Sequence, residues 1–416
     1  MKTSALPFAL ITSLFFMWGL ANNMTDTLLA AFKKIMSMTD FQTSWIQIAF
    51  YGSYFCLALP AALLIKKFTY KFGVMVGLGL FIAGALLFYP ASLTQQYSHF
   101  LIALFILAGG LSILETSANP FVIAMGLPET GTQRLNFAQS FNPIGSIIGV
   151  LLSKFFILSE LNQATEAERA AMSAEQLAAI QSEELAAVMG PYVGVAVFLL
   201  FLLIAIGITP MPAASDEGGE LQLGATFRRL LQRPRYFWGV VAQFFYVGAQ
   251  IGVWSFTIRY VMQELQVNEQ EASNYYVYSL VMFMISRFVC TFLMRFITPA
   301  RLLTYMAILA MALTCGVIFL KGQAAVWCLV GISGSMSLMF PTIYGIALEG
   351  LGDDTKIGAS GLIMAILGGA VLTAAQGMVS DQTGSIHIAY VVPLFCFLVV
   401  AWYGAVNVKR PIPQLS

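Results

Sequence analysis

Charged residues are scarce in this chain of 416 residues. Lys, Arg, Asp and Glu together make up 10% of it, whereas soluble domains carry about 25%. This deficit excludes an ordinary soluble enzyme. The 21 basic and 20 acidic residues leave a net charge of +1, so the charge balance gives no indication of a nucleic-acid partner.

Histidine and cysteine are also rare, with two and five copies. The cysteines are scattered through apolar stretches without metal-binding spacing, and they predict no disulfide framework. Neither His99 nor His387 has a cysteine or a group of acids beside it. Nucleophile and metalloenzyme motifs such as GxSxG and HExxH are absent as well. We therefore expect no metal, no other cofactor and no enzymatic activity.

Long apolar runs dominate what remains, and the mean hydropathy is +0.80. About twelve runs reach the ~20 residues that a helix needs to cross a bilayer. Strand-like alternation is absent, so each run is expected to satisfy its backbone groups as a helix. The sequence thus predicts an all-α membrane protein with twelve transmembrane helices, at residues 7–32, 44–65, 72–93, 99–126, 135–158, 190–210, 236–262, 273–297, 302–321, 324–348, 357–379 and 387–408.

Basic residues collect in alternate connections between these runs. If both termini are cytoplasmic, the inner segments hold roughly two-thirds of all Lys and Arg residues, as the positive-inside rule requires. The outer connections carry acids instead, for example Glu160, Glu175 and Glu184. We therefore predict that both termini lie in the cytoplasm.

Two polar stretches interrupt the apolar runs. Residues 159–189 are rich in Ala and Glu, which is compatible with short amphipathic helices but is more simply interpreted as a solvated linker. Residues 211–235 combine Pro, Gly and acids with a basic run, and they divide the spans six and six. The predicted organisation is an N-terminal six-helix bundle (1–210), a cytoplasmic linker (211–235) and a C-terminal six-helix bundle (236–416).

The two halves also show a weak internal sequence repeat. GLPETGTQR follows the fourth run and GLGDDTK follows the tenth, at an offset of about 220–230 residues, half of the chain. Parallel six-helix repeats of this kind are typical of the major facilitator fold, in which the substrate binds near the midplane between the halves.

Polar residues lie inside the first run, FFMWGLANNMTDTLLAAF. Trp18, Asn22 and Asp26 are four residues apart and share one helical stripe, and Asn23 flanks it. This set suits a polyol, because an indole stacks on the C–H face of a sugar while amides and a carboxylate meet its hydroxyls. Helix packing is the alternative for the amides. For Asp26 the alternative is an ion pair with Lys33 at the outer edge.

A second carboxylate, Glu115, lies in the fourth run within LETSANPF. Pro120 follows it and is expected to kink the helix, which frees carbonyl groups near a cavity. Because a charge within the membrane is costly, such residues usually mark a functional site. The alternative is a structural ion pair with a cation in a neighbouring span, for which Arg287 is the candidate.

Further amides follow in RLNFAQSFNPIG. Asn136, Gln139 and Asn142 are three residues apart and share roughly one face, and Pro143 and Gly145 are expected to loosen the helix after them. A single amide of this kind usually holds helices together. Three in a row are more typical of a polar cavity.

The second half offers neutral and aromatic candidates. Gln243, Tyr246, Gln250 and Trp254 fall on one stripe of the seventh run. Phe340 lies in the tenth run, where a proline predicts a central kink. The small residues of ILGGAVLTAAQG in the eleventh run are expected to serve close helix packing.

Seven segments of the chain, in order from one end to the other, resemble the fucose:proton symporter family of major facilitator sugar transporters. These segments are SLFFMWGLANNMTD, FYGSYFCLALPAALLIKKFTYKFG, LETSANPF, RLNFAQSFNPIG, FFYVGAQIGVWSF, MFPTIYGI and GLGDDTK. The resemblance implies the major facilitator fold, alternating access and uptake of a hexose with protons across a bacterial inner membrane. It further implies that the sugar, the proton and membrane lipid are the partners of a monomeric carrier.

The resemblance also implies roles for individual residues. Asp26 and Glu115 fall at the family's membrane-embedded acids, which are linked to proton coupling and sugar binding. Asn23, Gln139 and Asn142 fall at polar positions of its cavity.

Phe340 stands where similar fucose carriers have a tyrosine, which leaves the sugar open. L-fucose is the first expectation. The alternative is a sodium-coupled or passive transporter of glucose, galactose or N-acetylglucosamine.

Overall fold

The protein is described here by a computed structural model covering residues 5–35, 40–94, 96–156, 162, 168–169, 171–212 and 223–408. Within these ranges, the side chains of residues 25–34, 40–45, 47–48, 154 and 187–188 are not described. The described chain is helical and contains no strand. This confirms the predicted all-α class.

The helices follow one another through short turns. In the described residues, short 3-10 helices lie at Pro128–Thr130, Gly352–Asp354 and Ala365–Leu367. The α-helices are α1 (Ala5–Ile35), α2 (Asp40–Lys67), α3 (Tyr70–Thr94), α4 (Tyr97–Ala124), α5 (Gly131–Gln139), α6 (Phe141–Phe156), α7 (Ala174–Ile208), α8 (Leu223–Leu231), α9 (Pro234–Leu265), α10 (Glu269–Leu293), α11 (Pro299–Phe319), α12 (Gly322–Met336), α13 (Met339–Leu348), α14 (Thr355–Met364), α15 (Gly368–Thr383), α16 (Ile386–Ala389) and α17 (Val391–Val408).

Twelve segments of the described chain are long and apolar enough to cross a membrane, and they match the predicted runs. The fifth span combines α5 with α6, and the tenth combines α12 with α13. The eleventh joins α14 to α15, and the twelfth joins α16 to α17. The prediction of twelve spans is confirmed.

Large apolar side chains cover the outer surface of the bundle. Phe155, Phe201, Phe292 and Phe319 are each at least 53% exposed on different helices, which would be a liability in water. In a bilayer the same surface faces hydrocarbon. Polar groups such as Ser112, Thr116 and Asn119 are buried inside instead, so the distribution is that of a multi-pass membrane protein.

Glycines bring α1 against α6 in the first half. A Cβ atom at Gly145 would fall inside contact distance of the Phe16 carbonyl oxygen, and one at Gly19 would meet the carbonyl of Asn142. The second half repeats the contact between α9 and α15, where Gly368 lies against the carbonyl of Phe244. The same contact at corresponding places supports the internal repeat.

Three spans are interrupted near their centres. The fifth breaks at Ser140, the tenth at Ser337–Leu338 and the eleventh at the 3-10 turn Ala365–Leu367. The expected kink before Pro341 is therefore present. The break at Ser140 likewise comes three residues before a proline, Pro143, which lies in the first turn of α6, because a proline leaves the carbonyl four residues earlier without its helical partner. α4 is helical on both sides of Pro120.

The acidic stretch at 159–189 is more ordered than a solvated linker. Its second part belongs to α7, which begins at a capping box formed by Ser173 and Gln176. Arg169 and Glu184 form an ion pair in which both side chains are 2% exposed, and Nη1 of Arg169 donates to Oε2 of Glu184 over 2.9 Å. This bond with Glu184 raises the pKa of Arg169. The solvated-linker interpretation is therefore wrong for the described part of this stretch.

The two halves meet at the end of the bundle that holds the predicted cytoplasmic turns. The amide of Asn136 in α5 donates to the hydroxyl of Thr342 in α13 over 3.2 Å, and Gln133 donates to the carbonyl of Thr291 over 3.1 Å. Apolar residues of α13 and α14 also pack into the core of the first half. The path between the halves is therefore closed at this end.

Candidate functional site

The Glu115 carboxyl group is buried in α4, with 2% of the residue exposed. The hydroxyl of Tyr54 in α2 lies within hydrogen-bonding reach of it, and the indole of Trp18 in α1 lies beside Tyr54. Oε2 of Glu115 has no hydrogen-bond partner within the described residues. A buried carboxylate without a cation is costly, so this group suits a site where it exchanges a proton or binds a ligand hydroxyl.

The first-span candidates lie on the same helix, α1. Asp26 belongs to it, but its side chain lies outside the described part of the structure. Asn23 donates to the carbonyl of Gly19 over 3.1 Å. Oδ1 of the half-buried Asn22 and the indole nitrogen of Trp18 have no partner among the described residues. Two polar groups of this helix are thus available to a ligand.

The amide side chains around the break at Ser140 fall into two groups, candidates for ligand binding and one contact between the halves. Gln139 is 5% exposed, and its side-chain amide donates to Oδ1 of Asn119 over 2.9 Å. Nδ2 of Asn119 has no partner in the described chain. Asn142 is half-buried, and its main-chain carbonyl lies against Gly19. Asn136 holds Thr342 of the other half. Gln139 and Asn142 therefore remain candidates for binding, whereas Asn136 serves the closure between the halves.

Arg287 of α10 lies at the junction of the halves and is 4% exposed. Its Nε donates to the carbonyl of Ser337 over 2.6 Å, and its Nη1 donates to the carbonyl of Gln139 over 3.0 Å. The guanidinium also lies 4.5 Å from the ring centre of Phe283. No ion pair between Arg287 and Glu115 exists in the structure as described, so the suggestion that they pair is not supported.

The seventh-span candidates all lie in α9. Gln243 is fully buried and neither amide atom has a partner within the described ranges. The hydroxyl of Tyr246 donates to the carbonyl of Met336 over 3.1 Å. The indole of Trp254 donates to Ser333 over 3.2 Å, and Gln250 is half-buried. Tyr246 and Trp254 are thus anchored to α12, while Gln243 keeps its polar atoms free.

Phe340 connects two tyrosines near the break in the tenth span. Its ring makes an edge contact with Tyr246 at 6.3 Å and stacks on Tyr344 at 6.2 Å. Tyr344 is fully buried, and its hydroxyl has no partner in the described chain. It is close enough to Glu115 for the two side chains to interact electrostatically. Tyr344 of the second half therefore lies near the buried acid of the first, with the ring of Phe340 stacked on it.

Three further polar residues near the candidate site were not predicted from the sequence. Tyr54 and Tyr344 were indistinguishable from the other tyrosines, since only the fold brings them to Glu115. Gln376 lies at the end of a run of small residues in α15. It is fully buried against Gly252, and both of its amide atoms lack a partner in the described ranges. A glutamine in an apolar span was the signal that could have found it.

The unpartnered polar atoms come from both halves. Leaving a buried donor or acceptor unpaired costs about 1–3 kcal/mol, so such atoms are expected to bind water or a ligand rich in hydroxyls. The described residues contain no group of His, Cys, Asp or Glu that could hold a metal ion. The unpartnered atoms include those of Trp18, Asn22, Glu115, Asn119, Gln243, Tyr344 and Gln376.

Curated relatives match the chain over almost its full length. The L-fucose-proton symporter of Haemophilus influenzae is 40% identical over 415 residues, covering 97% of this chain and 96% of that protein. The L-fucose-proton symporter of Escherichia coli is 40% identical, covering 96% and 92%. A glucose/galactose transporter of Brucella abortus is 34% identical, covering 96% and 93%. These relatives are transporters, which agrees with the prediction that the chain is not an enzyme.

A solved structure gives the same result. The crystal structure of the transporter FucP in the outward conformation is 39% identical and superimposes with a TM-score of 0.93, covering 98% of this chain and all of that one. The model of the Major Facilitator Superfamily matches residues 11–375. The resemblance inferred from the seven segments is therefore confirmed, and the chain belongs to the major facilitator superfamily.

Proposed function

We propose that the chain is a secondary active transporter that imports a hexose, L-fucose as the first candidate, together with protons. The observation that carries this proposal is the burial of Glu115 without a compensating cation in the described structure. The two relatives with 40% identity, both named L-fucose-proton symporters, support it.

The proposed sugar site lies between the halves around Glu115. The first half supplies polar groups of Trp18, Asn22, Asn23, Gln139 and Asn142, which match the alternating donors and acceptors of sugar hydroxyls. The second half supplies aromatic faces and amides, which suit the C–H faces and remaining hydroxyls of the ring. The contributing residues there are Gln243, Tyr246, Gln250, Trp254 and Phe340, and we add Tyr344 and Gln376.

The proposed coupling rests on the two acids, Asp26 and Glu115. With a proton bound, each acid is neutral and can donate a hydrogen bond to a sugar hydroxyl, so that proton and sugar bind together. An empty site with an ionised acid resists closure, because an unpaired charge in a dry cavity is costly. This penalty prevents protons from leaking without sugar.

The proposed transport cycle alternates the access of this site. Residues 1–210 and 236–416 form the two bundles, joined by a cytoplasmic linker at 211–235. The contacts between Asn136 and Thr342 and between Gln133 and Thr291 close one end. We assign that end to the cytoplasm of a bacterial inner membrane, with both termini on the same side, because the basic turns lie there.

The proton gradient supplies enough energy for this task. One charge moving through 100 mV is worth ~2.3 kcal/mol, and one pH unit adds ~1.4 kcal/mol. A single proton then provides roughly 3.7 kcal/mol, which corresponds to about 500-fold accumulation of the sugar.

Uptake into proteoliposomes tests the proposal. A panel of radiolabelled hexoses is offered under an imposed pH gradient or an imposed sodium gradient, each without the other. We expect L-fucose to accumulate only with the inward proton gradient, and sugar addition to alkalinise a weakly buffered external medium. Uptake that needs sodium, or that never exceeds equilibrium, would contradict proton coupling.

A second candidate substrate follows from Phe340. The resemblance to fucose carriers implies a tyrosine at this position, and the relative of 34% identity is named a glucose/galactose transporter. The same hexose panel decides between L-fucose and glucose, galactose or N-acetylglucosamine by the ratio of initial uptake rates. If glucose or galactose inhibits uptake and L-fucose does not, the second candidate is favoured.

A further inference from the structure

A crevice lies between α9 and α17, at the end of the bundle where the halves are closed. Its volume is about 80 Å³, and Arg235, Trp238, Trp402 and Asn407 are among the residues that line it. Both helices belong to the second half, and the crevice lies near the start of α9 and the end of α17. It is therefore distinct from the sugar site, which lies between the halves.

Arg235 is held in a fixed position beside this crevice. Its Nε donates to Oδ1 of Asn407 over 3.1 Å, and its Nη1 donates to Oε2 of Glu349 over 2.9 Å. Its side chain is 15% exposed. Its Nη2 makes no hydrogen bond within the described residues. An oriented guanidinium with one free nitrogen is well suited to an anionic oxygen, particularly that of a phosphate.

Two indoles form the apolar side of the crevice. Trp238 and Trp402 meet edge to face at 4.9 Å, and they are 42% and 43% exposed. Neither is shielded by the described protein on its outer face, so both face the bilayer. Indoles are favoured at the level of lipid headgroups, and this pair lies directly beside a cation.

The surrounding surface has an excess of positive charge. Four arginines lie here: Arg228 and Arg229 in α8, Arg233 at the N-cap of α9 and Arg235 in its first turn. Three acids face them, since Asp354 pairs with Arg229, Asp353 lies near Arg229 and Glu349 pairs with Arg235, which leaves a net charge of about +1. The remaining basic groups favour an anionic partner over a zwitterionic one.

We propose that this crevice binds one anionic phospholipid, with the phosphate on Arg235 and the acyl chains along Trp238 and Trp402. Charge complementarity selects an anion, and the exposed indoles select a ligand with hydrocarbon. The two features together distinguish a lipid from a water-soluble phosphate. The lipid site does not depend on which sugar the protein transports.

Thermal unfolding of the purified full-length protein in a neutral detergent tests the site. The additives are short-chain phosphatidylglycerol, phosphatidylcholine with the same acyl chains, and glycerol 1-phosphate. We expect phosphatidylglycerol to raise the Tm by at least about 2 °C because it binds the folded state. An equal rise with phosphatidylcholine, or with glycerol 1-phosphate, would overturn the proposal.

Matched variants locate the effect. Arg235→Gln and Trp238→Ala should abolish the rise in Tm with phosphatidylglycerol. Arg295→Gln and Trp327→Ala should keep it, because Arg295 and Trp327 are exposed outside the crevice.

Arg235→Gln also breaks the bond to Glu349 and could therefore change the Tm by itself. Fluorescence quenching provides a second test that does not use this variant. Phosphatidylglycerol brominated in its acyl chains should quench the fluorescence of the native protein more than that of Trp402→Phe. Equal fractional quenching in both would count against the site.

Discussion

Arg287 of α10 donates a hydrogen bond of 3.0 Å to the main-chain carbonyl of Gln139 on the opposite half. The same guanidinium donates to Ser337 within its own half. Both acceptors lie at breaks in their spans, where helical carbonyls are free. One buried side chain thus connects the two interrupted helices at the level of the proposed sugar site.

Arg287→Lys should weaken this connection while it keeps the charge. A lysine ammonium lacks the fork geometry that reaches two carbonyls at once, and a hydrogen bond to a charged group is worth about 1.5–3 kcal/mol. We expect initial uptake rates to fall at least about tenfold. Arg295→Lys is the matched control, since Arg295 is exposed. Wild-type uptake by Arg287→Lys would mean that the link does not matter for the cycle.

Glu115→Gln should separate binding from coupling. The amide keeps the shape of the side chain and its contact with Tyr54 but cannot exchange a proton. We expect sugar counterflow to persist within about tenfold of wild type, while uptake against a gradient is lost. Glu129→Gln, at an exposed turn, is the control. Accumulation by Glu115→Gln at the wild-type level would exclude Glu115 as a proton carrier.

Asp26→Asn is expected to abolish accumulation for the same chemical reason. The comparison of Asp26→Asn with Glu115→Gln in counterflow then assigns the roles. The variant that retains counterflow has lost only coupling, whereas the variant that loses both has lost sugar binding. If both variants accumulate sugar under a pH gradient, neither acid is required.

Phe340→Tyr should change the preference among sugars. The new hydroxyl lies next to Tyr246 and Tyr344, and one added hydrogen bond is worth about 1 kcal/mol. That value corresponds to about a fivefold change in the ratio of the KM values for L-fucose and glucose. Phe292→Tyr, on the exposed surface of α10, adds a hydroxyl outside the site and should leave the ratio unchanged. An unchanged ratio in Phe340→Tyr would show that this position does not contact the sugar.

Gly145→Ala should destabilise the first half. The new Cβ atom would collide with the carbonyl of Phe16, and a main-chain atom cannot rotate away. We expect a cost of about 1–3 kcal/mol, seen as a lower Tm. Gly79→Ala is the matched control, because nothing lies within 4 Å of its Cβ position. An unchanged Tm in Gly145→Ala would contradict the close approach of α1 and α6.

Hydropathy was sufficient to predict the twelve spans, since a bilayer imposes both their length and their composition. The cost of a buried charge likewise pointed to Glu115. Prolines indicated two of the helix breaks, since the fifth and tenth spans break three to four residues before Pro143 and Pro341. The break of the eleventh span at Ala365–Leu367 has no proline near it and could not be located from the sequence.

Long-range partners could not be predicted from the sequence. Arg287 bonds to two carbonyls, and carbonyls have no residue-specific signal. Tyr54 and Tyr344 gain their significance only from the helices that bring them near Glu115. The buried pair of Arg169 and Glu184 was missed because alanine and glutamate in that stretch are equally typical of a solvated segment.

The glycine contacts at Gly145 and Gly368 have a mechanical consequence. Each joins two helices of one half, backbone against backbone, with no flexible side chain between them. We therefore expect the two helices of each pair to move together as one rigid body. Spin labels on α1 and α6 should therefore keep a constant separation when sugar is added, while labels on α1 and α9 should change theirs.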